Sequence, residues 1–194
     1  MRVDIKEAPA TFRQALREGA PVFTDHDQRM AELLSSATVG FPLFTASLDD
    51  VKNGRKLMEE PPTTWRFMAR DPAGAVIFGE VSNAKGPPKL VRVSKDPRSL
   101  LVLNAAADID QRSDLPDDNY QLRLLRVAGV LVEALWLHST TGKTDWFFPV
   151  LSASNELRIN HAYSSDEFFA RIRDMSARFR KFDNTGAEEP RSKA

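Results

Sequence analysis

The stretch Tyr120 to Leu151, YQLRLLRVAGVLVEALWLHSTTGKTDWFFPVL, is the most apolar part of the chain, and its reading decides the fold. Two periods compete within it. As a helix, Leu124, Ala128, Leu131 and Leu135 form a stripe; as strands, Leu122 and Leu124, then Val130, Val132, Ala134 and Trp136, line one face. Val127, Val130 and Val132 crowd around Gly129, and β-branched side chains lose rotamer freedom in a helix. Strands are therefore expected, with a bend or bulge at Ala128-Gly129. Ser139 to Lys143 then reads as a hairpin turn into an aromatic-rich strand, Asp145 to Leu151. Arg123, Arg126 and Glu133 interrupt the stretch, which leaves it well short of the roughly 20 apolar residues that span a bilayer.

Upstream, the two-residue period recurs. From Thr64 to Arg70, Trp65, Phe67 and Ala69 alternate with Thr64, Arg66, Met68 and Arg70, the pattern of a half-buried strand. Asp71-Pro72-Ala73-Gly74 carries proline and glycine at the turn positions that favour them and leads into a second strand, Ala75 to Ser82, giving a β-hairpin. Lys89 to Ser94 alternates again, and Asp96-Pro97 starts a helix expected to reach about Ile109. The first third reads as helical. One helix spans Pro9 to Glu18, with Gly19 as its stop; a second starts at Thr24, with Thr24 and Asp27 as a capping pair, and ends near Gly40; a third is capped by Ser47 ahead of Asp49 and Asp50 and ends at Pro61-Pro62. At the far end, Ser164-x-x-Glu167 is a capping box, and Phe168, Ile172, Met175 and Phe179 recur at helical spacing.

The predicted order is three helices, three strands, a helix, two or three strands and a final helix. Neighbouring strands joined by short turns point to the α+β class: an antiparallel curled sheet of about five or six strands, helices packed on one face. Residues 1–182 are predicted as one domain and 183–194, which lack an apolar anchor, as a mobile tail.

Composition narrows the function classes. In 194 residues, 42% hydrophobic, 27 basic side chains balance 27 acidic ones, so no overall field draws the protein to nucleic acid or an anionic membrane. Cysteine is absent, which removes disulfides and thiolate chemistry from the chain's repertoire. Asp4, Lys6 and Glu7 fall where a secretory signal needs an apolar core, so a cytoplasmic location is expected.

Individual motifs stay below the level of a catalytic signature. His138 to Thr144, HSTTGKT, ends like a phosphate-binding loop, but Leu137 stands where its first glycine belongs and no helix follows. The histidines His26, His138 and His161 show no metal-ligand spacing, and no G-x-S-x-G elbow selects a nucleophile. Arg171, Arg173, Arg178, Arg180 and Lys181 surround Asp174 without interleaved aromatics, so nucleic-acid binding is not expected. Glu133 differs, as a carboxylate inside an apolar run that invites pairing with Arg123 or Arg126.

These observations predict a non-catalytic domain without metal or cofactor that acts by protein–protein binding or self-association. Its surface would lie at the sheet end near Trp146 and the turn Ser139 to Lys143, with Glu133, Trp136, His138, Lys143, Asp145 and Trp146 as binding residues. The alternative is a small-molecule-binding or hydrolytic protein with a pocket between the sheet and the last helix, drawing on Glu133, Arg123 or Arg126, and His138.

Overall fold

In the computed structural model, which describes residues 1–24, 27–52 and 61–185, the chain is α+β, with five α-helices and a nine-stranded mixed sheet. The strands are β1 (Arg2–Ile5), β2 (Val39–Ala46), β3 (Thr64–Arg70), β4 (Val76–Ser82), β5 (Lys89–Lys95), β6 (Asn119–Val127), β7 (Val132–Ser139), β8 (Trp146–Leu151) and β9 (Tyr163–Ser164). The helices are α1 (Ala10–Phe23), α2 (Gln28–Ser35), α3 (Leu48–Lys52), α4 (Ser99–Asp108) and α5 (Ser165–Thr185). Spatial order is β5-β4-β3-β2-β6-β7-β8-β9, with β1 against the first half of β6.

The stretch Tyr120 to Leu151 forms the middle of this sheet, as β6, β7 and β8. It is a pair of hairpins and not one bent strand. A 3-10 turn over Ala128–Val130 and a left-handed Leu131 at φ 51° reverse the chain, so that Arg126 faces Glu133 and Val127 faces Val132. Because of that reversal, Leu122 and Leu124 lie on the opposite face from Val132, Ala134 and Trp136.

Three features depart from the expected sheet. The strands number nine and not five or six; two pairings, β1 with β6 and β2 with β6, are parallel and not antiparallel; and helices cover both faces. The extra central strand is β2, VGFPLFTA. It is buried on both sides from Gly40 to Phe44, so it lacks the apolar-polar alternation of a half-exposed strand. It sits between β3, antiparallel, and the second half of β6, parallel, while the polar β1 extends the same side of β6 through Arg2–Asn119 to Ile5–Leu122.

On one face α4 lies over a core that includes Phe41, Met68, Phe78, Leu124, Leu135 and Phe148. On the other, α1 and α2 cover the β3–β5 half around Trp65, Phe67 and Ile77, and α5 with α3 covers the β6–β8 half around Trp136, Phe147 and Phe168. Cover on both sides explains why β3 is buried at every interior position, where a half-exposed strand was expected.

Helix ends were read partly right. Helix α1 does not stop at Gly19. It continues through Pro21 to Phe23, and the glycine is there because a Cβ at that position would fall 2.5 Å from the Cβ of Leu90 on β5. Thr24 closes α1, its hydroxyl donating to the Ala20 carbonyl, while Asp27 caps α2 by accepting from the Met30 amide at 2.9 Å. Ser47 and Asp50 form the expected reciprocal cap of α3, and the Glu167 amide donates to Ser164 at the start of α5. His26, the part of the predicted third helix from Asn53 to its end before Pro61-Pro62, and all but the start of the predicted tail lie outside the described residues. No described helix is long and apolar enough to cross a membrane.

Candidate functional site

Four charged side chains from four strands meet beneath a cleft at the hairpin end of β6 and β7. The register of β3 on β4 places Arg66 opposite Glu80, and that of β6 on β7 places Arg126 opposite Glu133; all four point to the α4 face. Arg66 donates from Nε (3.0 Å) and Nη2 (2.6 Å) to Glu80 Oε1, and from Nη1 (2.8 Å) and Nη2 (2.9 Å) to the two oxygens of Glu133. Arg126 donates from Nε to Glu133 Oε1 at 2.8 Å, and from Nη2 (2.5 Å) and Nη1 (3.3 Å) to Glu80. Each arginine holds both acids and each acid holds both arginines, a closed ring of alternating charge.

The ring is desolvated most at Arg66 and Glu80, which are 2% and 4% exposed. Burial alone would raise the pKa of Glu133; the hydrogen bonds and positive charges of Arg66 and Arg126 outweigh it and hold the group down at about 2. Glu80 is likewise lowered, burial being overcome by Arg126 and Arg66. Both carboxylates are thus ionised and bonded at neutral pH, and neither is poised to exchange a proton there.

The cleft above has a volume of about 290 Å³. Arg66, Arg126 and Glu133 contribute to its floor. Its walls include Phe78, Val102 from α4 and Val150 from β8, and its lip carries Leu131, Arg92 and the Asp96-Arg98 pair. Arg98 is bound to Asp96 at 2.8 Å, and this bond lowers the Asp96 pKa. Among the described residues, Arg92 has no carboxylate within 4 Å; its guanidinium lies 5.2 Å from the centre of the Phe78 ring, which Arg66 also faces at 4.5 Å.

Of the six residues predicted to bind, His138, Lys143 and Asp145 line one hollow of about 350 Å³ with Ser165 and Asp166 at the start of α5, and Trp136 is bonded to Asp145 beneath it; Glu133 and Trp146 lie elsewhere. Glu133 belongs to the ring. Trp146 lies on the same face of the sheet but at the far end of β7, opposite Leu137, half-buried against the α4-side core. Trp136 and His138 project from the other face of β7. Glu133 and His138 therefore line no common cavity: His138 borders the hollow at the start of α5, and Glu133 the cleft on the opposite face. Arg123 also lies on the α5 side, over the rings of Phe44 and Trp136, so it is Arg126 that pairs with Glu133.

Asp145 gathers a second network. It accepts from Trp136 Nε1 (2.8 Å) and the Ser139 amide (2.8 Å), and contacts His138 Nδ1 at 3.2 Å. The Ser139 hydroxyl points away from His138 and donates to Asp118 at 2.7 Å, which the Thr141 hydroxyl also reaches; Lys143 lies 3.8 Å from the same carboxylate. Serine and histidine are thus anchored separately, the arrangement of a braced turn and not of a nucleophile with its base. Among the described residues, no group of histidines and carboxylates is placed to hold a metal ion.

Comparison with family models, curated proteins and solved structures found no match. The cleft must therefore be interpreted from its own chemistry.

Sequence reasoning missed Arg66 and Glu80. The signal was present in the turn Asp71-Pro72-Ala73-Gly74, since a hairpin with Arg70 opposite Val76 necessarily puts Arg66 opposite Glu80.

Proposed function

We propose that this protein works by binding and not by catalysis, and that the cleft beside α4 is where it binds. The observation that carries this reading is the closed ring of Arg66, Glu80, Arg126 and Glu133, which forms a fixed polar floor under an open cleft with apolar walls and a charged lip. Ligand sites combine apolar walls with a few firmly held polar groups, and 290 Å³ is near the lower end of the usual volume for them. Every acid of the ring is committed to two arginines, so the floor can orient a ligand but has no free base to attack one. A protein partner on the turn Ser139 to Lys143 has less support, because no large apolar side chain is exposed on that turn to anchor an interface.

The reading is tested by titrating the full chain with a mixture of small apolar, anionic and cationic fragments and following backbone amides by NMR. Shifts concentrated at Val102, Leu131 and Leu151 are expected. Shifts confined to the turn Ser139 to Lys143, or none at all, would refute the cleft as the binding site.

A further inference from the structure

Two features of the cleft are not explained by the charge ring. One is Arg92. Four arginines face three carboxylates around the cleft, Glu80 included: Arg66 and Arg126 are balanced by Glu80 and Glu133, and Arg98 by Asp96. Arg92 remains, exposed and with no ion pair within 4 Å among the described residues; it lies opposite Glu80 in the β4–β5 register and acts on Asp96 only through space, its guanidinium held against Phe78. The cleft therefore carries one positive charge in excess, and Arg92 is its arginine with no ion pair, a planar donor suited to bidentate contact with a carboxylate.

The other is Leu131. At φ 51° it occupies the left-handed region, where glycine or asparagine is far less strained, and it is 66% exposed at the cleft lip. Neither folding nor solubility calls for an exposed leucine there. Strain kept at an exposed lip position points to a contact that Leu131 serves.

Resting on the reading that the cleft is the binding site, we infer that its ligand is a small amphipathic monocarboxylate. The carboxylate sits on Arg92, and the apolar body lies between Phe78, Val102 and Leu131. A single negative charge matches the single surplus cation. A polyphosphate would bring further charge against Glu133 and Asp96, whose own partners already hold them ionised. The cleft's modest volume limits the body to a short aliphatic chain or one ring.

The test uses the full chain with octanoate, butanoate, octanol and inorganic phosphate as probes, followed at the cleft amides by NMR. Octanoate is expected to bind about two- to fivefold more tightly than octanol, the range for an exposed ion pair. Arg92→Gln, at an exposed position, should bring octanoate down to the level of octanol. Leu131→Asn should weaken octanoate more than butanoate, because only the longer chain reaches the lip. Octanol binding as well as octanoate, or phosphate binding in preference to both, overturns the inference while leaving the cleft as a binding site. Silence of the cleft amides toward every probe removes the site itself.

Discussion

Replacing Glu133 by glutamine is the most direct test of the charge ring. Glu133 accepts two bonds from Arg66 and one from Arg126, and Arg66 is only 2% exposed. Glutamine keeps the shape but removes the charge, and its amide hydrogens now face guanidinium donors. The ring goes from balanced to a surplus of one positive charge at a position water can hardly reach. Breaking a buried ion pair from one side costs about 3–5 kcal/mol. Glu80 still satisfies part of both arginines, and Glu133 retains 18% side-chain exposure, so a somewhat smaller loss, about 2–4 kcal/mol, is expected. Urea unfolding monitored by circular dichroism should show a lower midpoint with an unchanged slope, and the melting temperature should fall by about 4–16 °C. A companion variant carrying Arg66→Met, Glu80→Leu, Arg126→Met and Glu133→Leu should lie within about 1–2 kcal/mol of the parent or above it, because no charge is left stranded. A loss below about 0.5 kcal/mol in Glu133→Gln would refute the claim that the ring is tightly coupled, since that is the range of an ordinary surface change.

Three further outcomes follow from the same geometry. Glu133 has a pKa lowered from 4.5 to about 2 on folding, so its contribution is fully present above about 4.5 and is lost as pH falls toward 2; by linkage this amounts to about 3 kcal/mol, and unfolding free energies measured across that window should fall less steeply in Glu133→Gln than in the parent, parallel curves arguing against the assignment. Gly19→Ala places a methyl 2.5 Å from the Cβ of Leu90, an atom fixed by its own backbone, so about 1–3 kcal/mol of overpacking should exceed the gain of about 1 kcal/mol in helix propensity, and thermal melting should reveal a net loss where an exposed helix position would gain. Asp145→Ala strands two buried donors, Trp136 Nε1 and the Ser139 amide, and should cost about 2–5 kcal/mol by urea titration together with a change in tryptophan emission; an unchanged spectrum would mean that the indole bond is not maintained in solution.

What could be read from the sequence followed where burial was one-sided or a turn fixed the register. The β3–β4 hairpin was legible because Asp71 to Gly74 has unambiguous turn chemistry, and α5 because only one of its faces is buried, which leaves its apolar stripe at helical spacing. Strand β2 was not, because Gly40 and Pro42 interrupt its run and both its faces are buried, which removes the alternation that marks a strand. Gly19 was misread because a glycine needed for close approach to Leu90 looks the same in sequence as one that ends a helix. For the candidate site, the carboxylate Glu133 and its partner Arg126 were visible as charges inside an apolar run. The other half of the ring was not, since Arg66 and Glu80 lie in a strand pair that reaches Glu133 only through the placement of β2 between β3 and β6.

The same placement explains why the ring lies where the cleft is. Arg66 comes from β3 and Glu133 from β7, with β2 and β6 between them, so their contact ties together two halves of the sheet that are covered on the other face by separate helix groups, α1 and α2 on one half and α3 and α5 on the other. On the α4 side the helix leans over the middle of the sheet, leaving its hairpin end without a helical cover. An apolar floor left open there would expose a patch prone to association, while unpaired charges would weaken the sheet. A balanced ring avoids both, and it leaves Arg92 and Leu131 at the rim as the groups whose positions the fold alone does not require.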